Sequence, residues 1–181
     1  MHESALLADK HTLIAEQEIL YALSLAEMRT PDALARGAVT CRRARVEDHA
    51  LIADWRVAYS IETLNERDSA ALRAHAGEAM ARETANQRAF LLEDSGAPVA
   101  FSAFNAQLPD VVQVGGVWTP PELRGRGYAR AVVAGQLAIA HDEGAKRGVL
   151  FTKETNYAAQ RAYEAIGFQR IGAYGLIHYA A

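Results

Sequence analysis

A mixed β-sheet with helices on its faces, an α/β (α+β) fold, is what this sequence predicts, and three observations predict it. Apolar runs at 89–93 and 99–104, joined by an Asp94-Ser95-Gly96 turn, read as adjacent antiparallel strands. Strand–helix–strand units follow, with Gly144 and Gly167 placed to stop their helices. A chain of 181 residues, 50% hydrophobic and 23% charged, can bury one sizeable core, and suits one domain with an appendage better than two full domains.

The elements follow in order. Leu6, Leu13 and Leu20 recur every seven residues, as do Leu7, Ile14 and Tyr21, with Glu16, Gln17 and Glu18 outside that set. The spacing predicts a helix over residues 9–28, its apolar face packed on the core or on a second copy of the chain in a homodimer. Thr30, Pro31 and Asp32 restart a short helix that Gly37 stops. Residues 1–37 therefore read as an N-terminal helical extension and 38–181 as the main domain. Residues 39–44 alternate weakly as a first strand. Glu47 and Asp48 open a helix running to Ile61, and a second helix, rich in Ala, Arg and Glu, covers 69–85. After the 89–104 hairpin and a Pro109-Asp110 turn, residues 110–119 form the next strand. A helix from Tyr128 to Glu143, a buried strand at 149–152, a helix at 156–166 and a strand at 168–171 follow, and 176–179 closes the chain as a last strand.

Composition narrows the function. A net charge of −3 and a pI of about 6.1 give no reason to expect broad binding to nucleic acid. No segment approaches the roughly 18 consecutive apolar residues of a membrane span, and the N-terminus lacks a basic, signal-like start. The single cysteine, Cys41, excludes an intramolecular disulfide and points to a reducing, cytoplasmic setting. The six histidines are scattered without an i,i+4 pair, so no metal is expected.

The segment from Val117 to Ala129 is the most informative stretch. Val117, Trp118 and Thr119 end a strand, and Pro120-Pro121 marks a turn. Arg124, Gly125, Arg126 and Gly127 make a bend, and Tyr128, Ala129 and Arg130 start a helix. Free backbone N–H groups at such a helix start, with the positive end of the macrodipole behind them, suit a phosphate. Gly125 and Gly127 let the main chain approach an anion closely. A dinucleotide fingerprint fails because Arg130 stands three residues after Gly127, and no Gly-Lys-Ser/Thr is present for a P-loop. Further on, Asn156, Ala159 and Tyr163 share one helix face. Asn156 can cap that helix or offer its amide to a ligand, and Tyr163 is either a half-buried core residue or a phenolic proton donor.

Together the two segments resemble the GNAT superfamily of acetyl-CoA-dependent N-acetyltransferases. Arg124, Gly127 and Ala129 match that family's Arg/Gln-x-x-Gly-x-Gly/Ala loop; Asn156, Ala159, Tyr163, Gly167 and Phe168 match its later pattern. The resemblance covers residues 39–181 and implies a mixed, mostly antiparallel central sheet flanked by helices. It also implies that residues 114–119 splay from their neighbour at a bulge, for which Gly115-Gly116 is suited, so that pantetheine pairs with the backbone of Val117 and Thr119. The diphosphate would sit on the amides of residues 125–130, with Arg124 and Arg126 adding charge. The implied reaction is direct attack of a primary amine on the thioester, Tyr163 acting as acid toward the coenzyme A thiolate. The central strand offers no carboxylate as base. Glu62 and Glu66 are the candidates, beside water relayed by backbone carbonyls, and Trp118 and Tyr59 line an acceptor pocket or pack the core. A noncatalytic acyl-CoA-binding sensor on the same fold is the rival reading.

Overall fold

The computed structural model describes residues 12–179. Among the described residues seven strands form one sheet in the order β2-β3-β4-β5-β6-β1-β7. The strands are β1 (Thr12–Ser24), β2 (Val39–Arg43), β3 (Ala89–Asp94), β4 (Ala97–Gln107), β5 (Val111–Trp118), β6 (Arg147–Lys153) and β7 (Gln169–Tyr179). Every neighbouring pair is antiparallel except β5 and β6, which are parallel. The helices are α1 (Asp32–Ala35), α2 (His49–Leu64), α3 (Ala70–Ala85), α4 (Tyr128–Asp142) and α5 (Tyr157–Ala165). Among the described residues no helix is long and apolar enough to cross a membrane.

The interior strand β3 shows why the sheet is covered on both sides. Ala89, Phe90, Leu91 and Leu92 are all buried, so neither face can be left to water. Phe90 and Leu92 join Val132, Val133 and Leu137 of α4 in one core; Ala89 and Leu91 join Ile52 of α2, Ala79 and Met80 of α3 and Phe101 in another. The β3–β4 hairpin turns at Ser95 and Gly96, both with positive φ, which matches the right-handed twist of the two strands.

One expectation is overturned by the structure. Residues 12–24 of the expected helical extension form β1, followed by a single 3₁₀ turn, Leu25–Glu27; residues 9–11 lie outside the described residues. The burial follows period two: Ile19, Tyr21, Leu23 and Leu25 are inside, while Ser24 and Ala26 are exposed. In a strand, where successive residues alternate faces, a spacing of seven defines no common face, so the heptad coincidence carried no helical information. The long β1 gains a full ladder on each side, pairing from Glu18↔Lys153 to Ser24↔Arg147 with β6 and from Thr12↔Tyr179 to Ala22↔Gln169 with β7. That nonlocal pairing outweighs the weak local helical pattern.

A second difference is at the other end, where the two strands expected at 168–171 and 176–179 are one strand, β7. Gly172 and Gly175 do not turn the chain, because each lies opposite a residue of β1 in the ladder. The short helix expected after Thr30 is α1, and Gly37, with φ +69°, follows it.

Candidate active site

The site begins with a defect in the sheet. Between β4 and β5 the register runs from Phe101↔Trp118 to Ala103↔Gly115, so β5 carries one extra residue there. Gly116 supplies the left-handed backbone (φ +59°) that this bulge needs. At Gly115 a Cβ would collide with the Asn105 side chain. On its other side β5 pairs with β6 only from Val111↔Arg147 to Gln113↔Val149. Beyond Gln113 the two strands part, opening a cleft along the second half of β5, as the resemblance implied.

Beyond the cleft the chain turns through a 3₁₀ segment, Pro121–Leu123, and enters α4 by way of Gly125 (φ +78°) and Gly127 (φ +82°). Gly127 is the N-cap of α4 and has no side chain with which to cap it. The first intrahelical bond is from Ala131 N–H to the Gly127 carbonyl at 3.0 Å. The N–H groups of Tyr128, Ala129 and Arg130 precede it, so the helix has no carbonyl to offer them.

Arg124 shapes the loop. Its Nε donates to the Thr119 carbonyl (3.0 Å), its guanidinium lies 4.9 Å above the Trp118 ring, and it pairs with Glu62 at 2.9 Å. Tyr128 donates its hydroxyl to Asp94 in the β3–β4 turn, which anchors the start of α4 to the hairpin. That hydrogen bond raises the Tyr128 pKa and lowers that of Asp94.

The other wall is the start of α5. Asn156 caps this helix, its Oδ1 accepting from Ala159 N–H at 3.1 Å. Gln160 donates to the carbonyls of Lys153 (3.2 Å) and Glu154 (2.8 Å) and so pins the β6–α5 turn. Tyr163 is 8% exposed and packs edge-on to Phe168. Burial raises its pKa above the ordinary tyrosine value, and the neighbouring Tyr59 and Glu18 push it the same way.

Every residue expected at the cofactor lines one groove of about 680 Å³ between these walls: Val117, Trp118 and Thr119; Arg124, Gly125, Arg126 and Gly127; Tyr128, Ala129 and Arg130; Asn156, Ala159 and Tyr163. Glu62 also lines it, held by Arg124, whereas Glu66 is exposed and is not part of the groove wall. Tyr59, on α2, is stacked under Arg56, whose guanidinium is 5.1 Å from its ring centre. Arg56 in turn lies beside the Gly116 bulge. Glu18 was not among the candidates. It sits on β1, inside the stretch expected to be helical, and the period-two burial of Ile19, Tyr21 and Leu23 is the signal that could have placed it in a strand.

Residues 48–168 match the family model described as Acetyltransferase (GNAT) family, and the chain belongs to that family, which uses acetyl-CoA. A GNAT-family acetyltransferase structure from Novosphingobium aromaticivorans superposes with a TM-score of 0.65 at 17% identity, covering 94% of this chain and 66% of that one. One from Colwellia psychrerythraea gives 0.65 at 15% identity, covering 97% and 60%. An acetyltransferase from Clostridium acetobutylicum, in a structure with acetyl-CoA, gives 0.57 at 17% identity, covering 74% and 91%. At these identities the likeness shows the fold, and the chain spans less than two thirds of the length of the first two. No curated protein matches the chain.

Proposed function

We propose that this protein is an N-acetyltransferase that moves the acetyl group of acetyl-CoA to a primary amine by direct attack. One juxtaposition carries the reading: the parted end of β5, the bare N-terminus of α4 and the hydroxyl-bearing Tyr163 meet in a single groove. The uncapped amides of Tyr128, Ala129 and Arg130 suit a diphosphate, and the glycines before them put no side chain in its way. The backbone of Val117 and Thr119, on the side of β5 that β6 has left, suits the amides of pantetheine. Bound there, acetyl-CoA would supply an activated acyl group with a thiol leaving group. Tyr163 supplies the proton that the departing sulfur takes up; its raised pKa keeps it protonated at neutral pH. A backbone N–H of the parted strand, that of Val117, polarises the thioester carbonyl.

Thiol release from acetyl-CoA over a panel of amines tests this. Cys41, the chain's only cysteine, has its pKa pushed up to about 12 by burial, so it adds little background to a thiol-reactive dye. Amine-dependent release is the expected result. Tight acetyl-CoA binding without release on any amine would instead favour a noncatalytic acyl-CoA sensor, a reading that the absence of a carboxylate on residues 114–118 favours.

A further inference from the structure

The acetyl-transfer reading leaves the proton of the incoming ammonium without an acceptor, and the fold brings a carboxylate to that place from an unexpected strand. Glu18 is a buried carboxylate, 7% exposed. Its position follows from register. The β5–β6 ladder ends at Gln113↔Val149, but β6 and β1 stay paired four residues further, to Lys153↔Glu18. Glu18 is therefore level with the open part of the cleft, not with its closed end.

The pleat settles which way it points. Ile19, Tyr21 and Leu23 enter the core shared with α4 and with Tyr163, Ile166 and Phe168, and their partners on β6 include the buried Leu150 and Thr152. Glu18 alternates with Ile19 and faces the opposite side of the sheet, the side on which α2 carries Arg56 and Tyr59 against the β5 bulge. Beyond the effect of burial, Glu18 bears electrostatically on both Tyr59 of α2 and Tyr163 of α5, raising the pKa of each. Both are titratable groups within its electrostatic reach, and Arg56 bears on the same Tyr59. Lys153 of β6 and Tyr174 of β7 stand opposite Glu18 in register. The two carboxylates named from the sequence differ from it: Glu62 lines the groove and pairs with Arg124, and Glu66 is exposed.

We propose that Glu18 is the carboxylate that receives the acceptor's ammonium group and takes its proton before attack, acting as the general base. The step rests on the acetyl-transfer reading and balances as follows. One N–H bond of the ammonium breaks and its proton passes to a Glu18 oxygen, leaving a neutral amine. The nitrogen lone pair forms the C–N bond at the thioester carbon, the C–S bond breaks, and the sulfur takes the Tyr163 proton. The new amide nitrogen sheds its second proton to the Tyr163 phenolate, and Glu18 releases the first to solvent. The products are an N-acetyl amine, free coenzyme A and one proton.

The test uses the full chain as wild type, Glu18→Gln and Glu18→Asp. Acceptors are n-butylamine, spermidine, glucosamine, a lysine tetrapeptide and hydroxylamine, the last already neutral at pH 7. With the best of the ammonium-forming acceptors, Glu18→Gln should lose about 100-fold or more in kcat/KM at pH 7. Its rate should climb tenfold per pH unit toward the amine's own pKa, whereas wild type levels off at lower pH. Hydroxylamine should be acetylated by the two at rates within about twofold, acetyl-CoA affinity should be unchanged, and Glu18→Asp should keep the wild-type pH plateau. A Glu18→Gln enzyme with wild-type rate and pH profile overturns the role. So does an equal loss with hydroxylamine, or loss of acetyl-CoA affinity in both variants, which makes Glu18 a folding residue. Wild-type protein that binds acetyl-CoA but turns over no acceptor overturns the acetyl-transfer reading itself, and Glu18's role with it.

Discussion

Tyr163 reaches the inner end of the groove from α5 with most of its surface in the core, and this fixes what a substitution there measures. Tyr163→Phe keeps the ring, its edge-on contact with Phe168 and the shape of the groove, and removes only the hydroxyl. Turnover should fall about 100-fold while acetyl-CoA affinity, read by calorimetry, changes little. Because the folded pKa is raised, wild-type activity should show no loss from Tyr163 ionisation until the pH passes the ordinary tyrosine value near 10. A second residue-scale prediction concerns acid stability. Arg42 donates to both oxygens of Asp48, at 2.6 and 2.9 Å, and to Glu93 at 2.8 Å, holding β2 to the start of α2 and to β3. The hydrogen bonds from Arg42 lower the Asp48 pKa below its unfolded value. A depressed carboxylate contributes stability that is full above the unfolded pKa of about 3.9 and disappears as pH falls through the folded one. Urea unfolding at pH 7 and pH 3 should therefore show Asp48→Asn costing more stability at the higher pH than at the lower.

Elements differ in how openly the sequence declares them. The α4 entry and the α5 face were legible because their chemistry is local. Two glycines with positive φ, a helix start without a capping side chain, and an Asn–Ala–Tyr spacing are all written within a few residues. β1 was not legible, because what makes it a strand is a double ladder to β6 and β7, well over a hundred residues away in sequence. Glu18 was lost with it, since a carboxylate on a helix surface and one buried on a strand read identically in the sequence. The placement of α4 depends on a similar nonlocal contact. Gly135 lies directly over Cys41 of β2, where an added Cβ would meet the Cβ of that cysteine. Gly135→Ala should cost about 1–3 kcal/mol in urea unfolding. It should also weaken acetyl-CoA binding, because pushing α4 off the sheet moves its N-terminal amides. Cys41→Gly in the same chain should recover part of both losses, and Cys41→Ala should not, because it keeps the offending carbon.

At the scale of the whole molecule, β1 joins the sheet's last strand to the rest. Without it β6 loses one neighbour and β7 loses the only strand it pairs with among the described residues. Residues 38–181 alone should therefore fail to fold cooperatively and should bind no acetyl-CoA, even though every residue lining the groove lies within them. The geometry also offers a way to separate this need for β1 from any need for it to come first in the chain. Thr12 pairs with Tyr179, so the outer ends of β1 and β7 are adjacent and antiparallel, as in a hairpin. A circular permutant that begins at Ala38, passes from Ala181 into Met1 and ends at Gly37 would make β7 and β1 consecutive strands. Its new ends would fall at a glycine with φ +69°, just outside α1. Thermal unfolding should be cooperative in the permutant, with stability within about 2 kcal/mol of the natural order, because only loop-closure terms change. Acetyl-CoA affinity should match wild type, and with β1 and its Glu18 back in the sheet, so should turnover. A permutant that folds and binds acetyl-CoA while residues 38–181 do not would establish β1 as an integral strand of the sheet wherever it stands in the chain. Failure of both would mean that β1 must be made before the strands it joins.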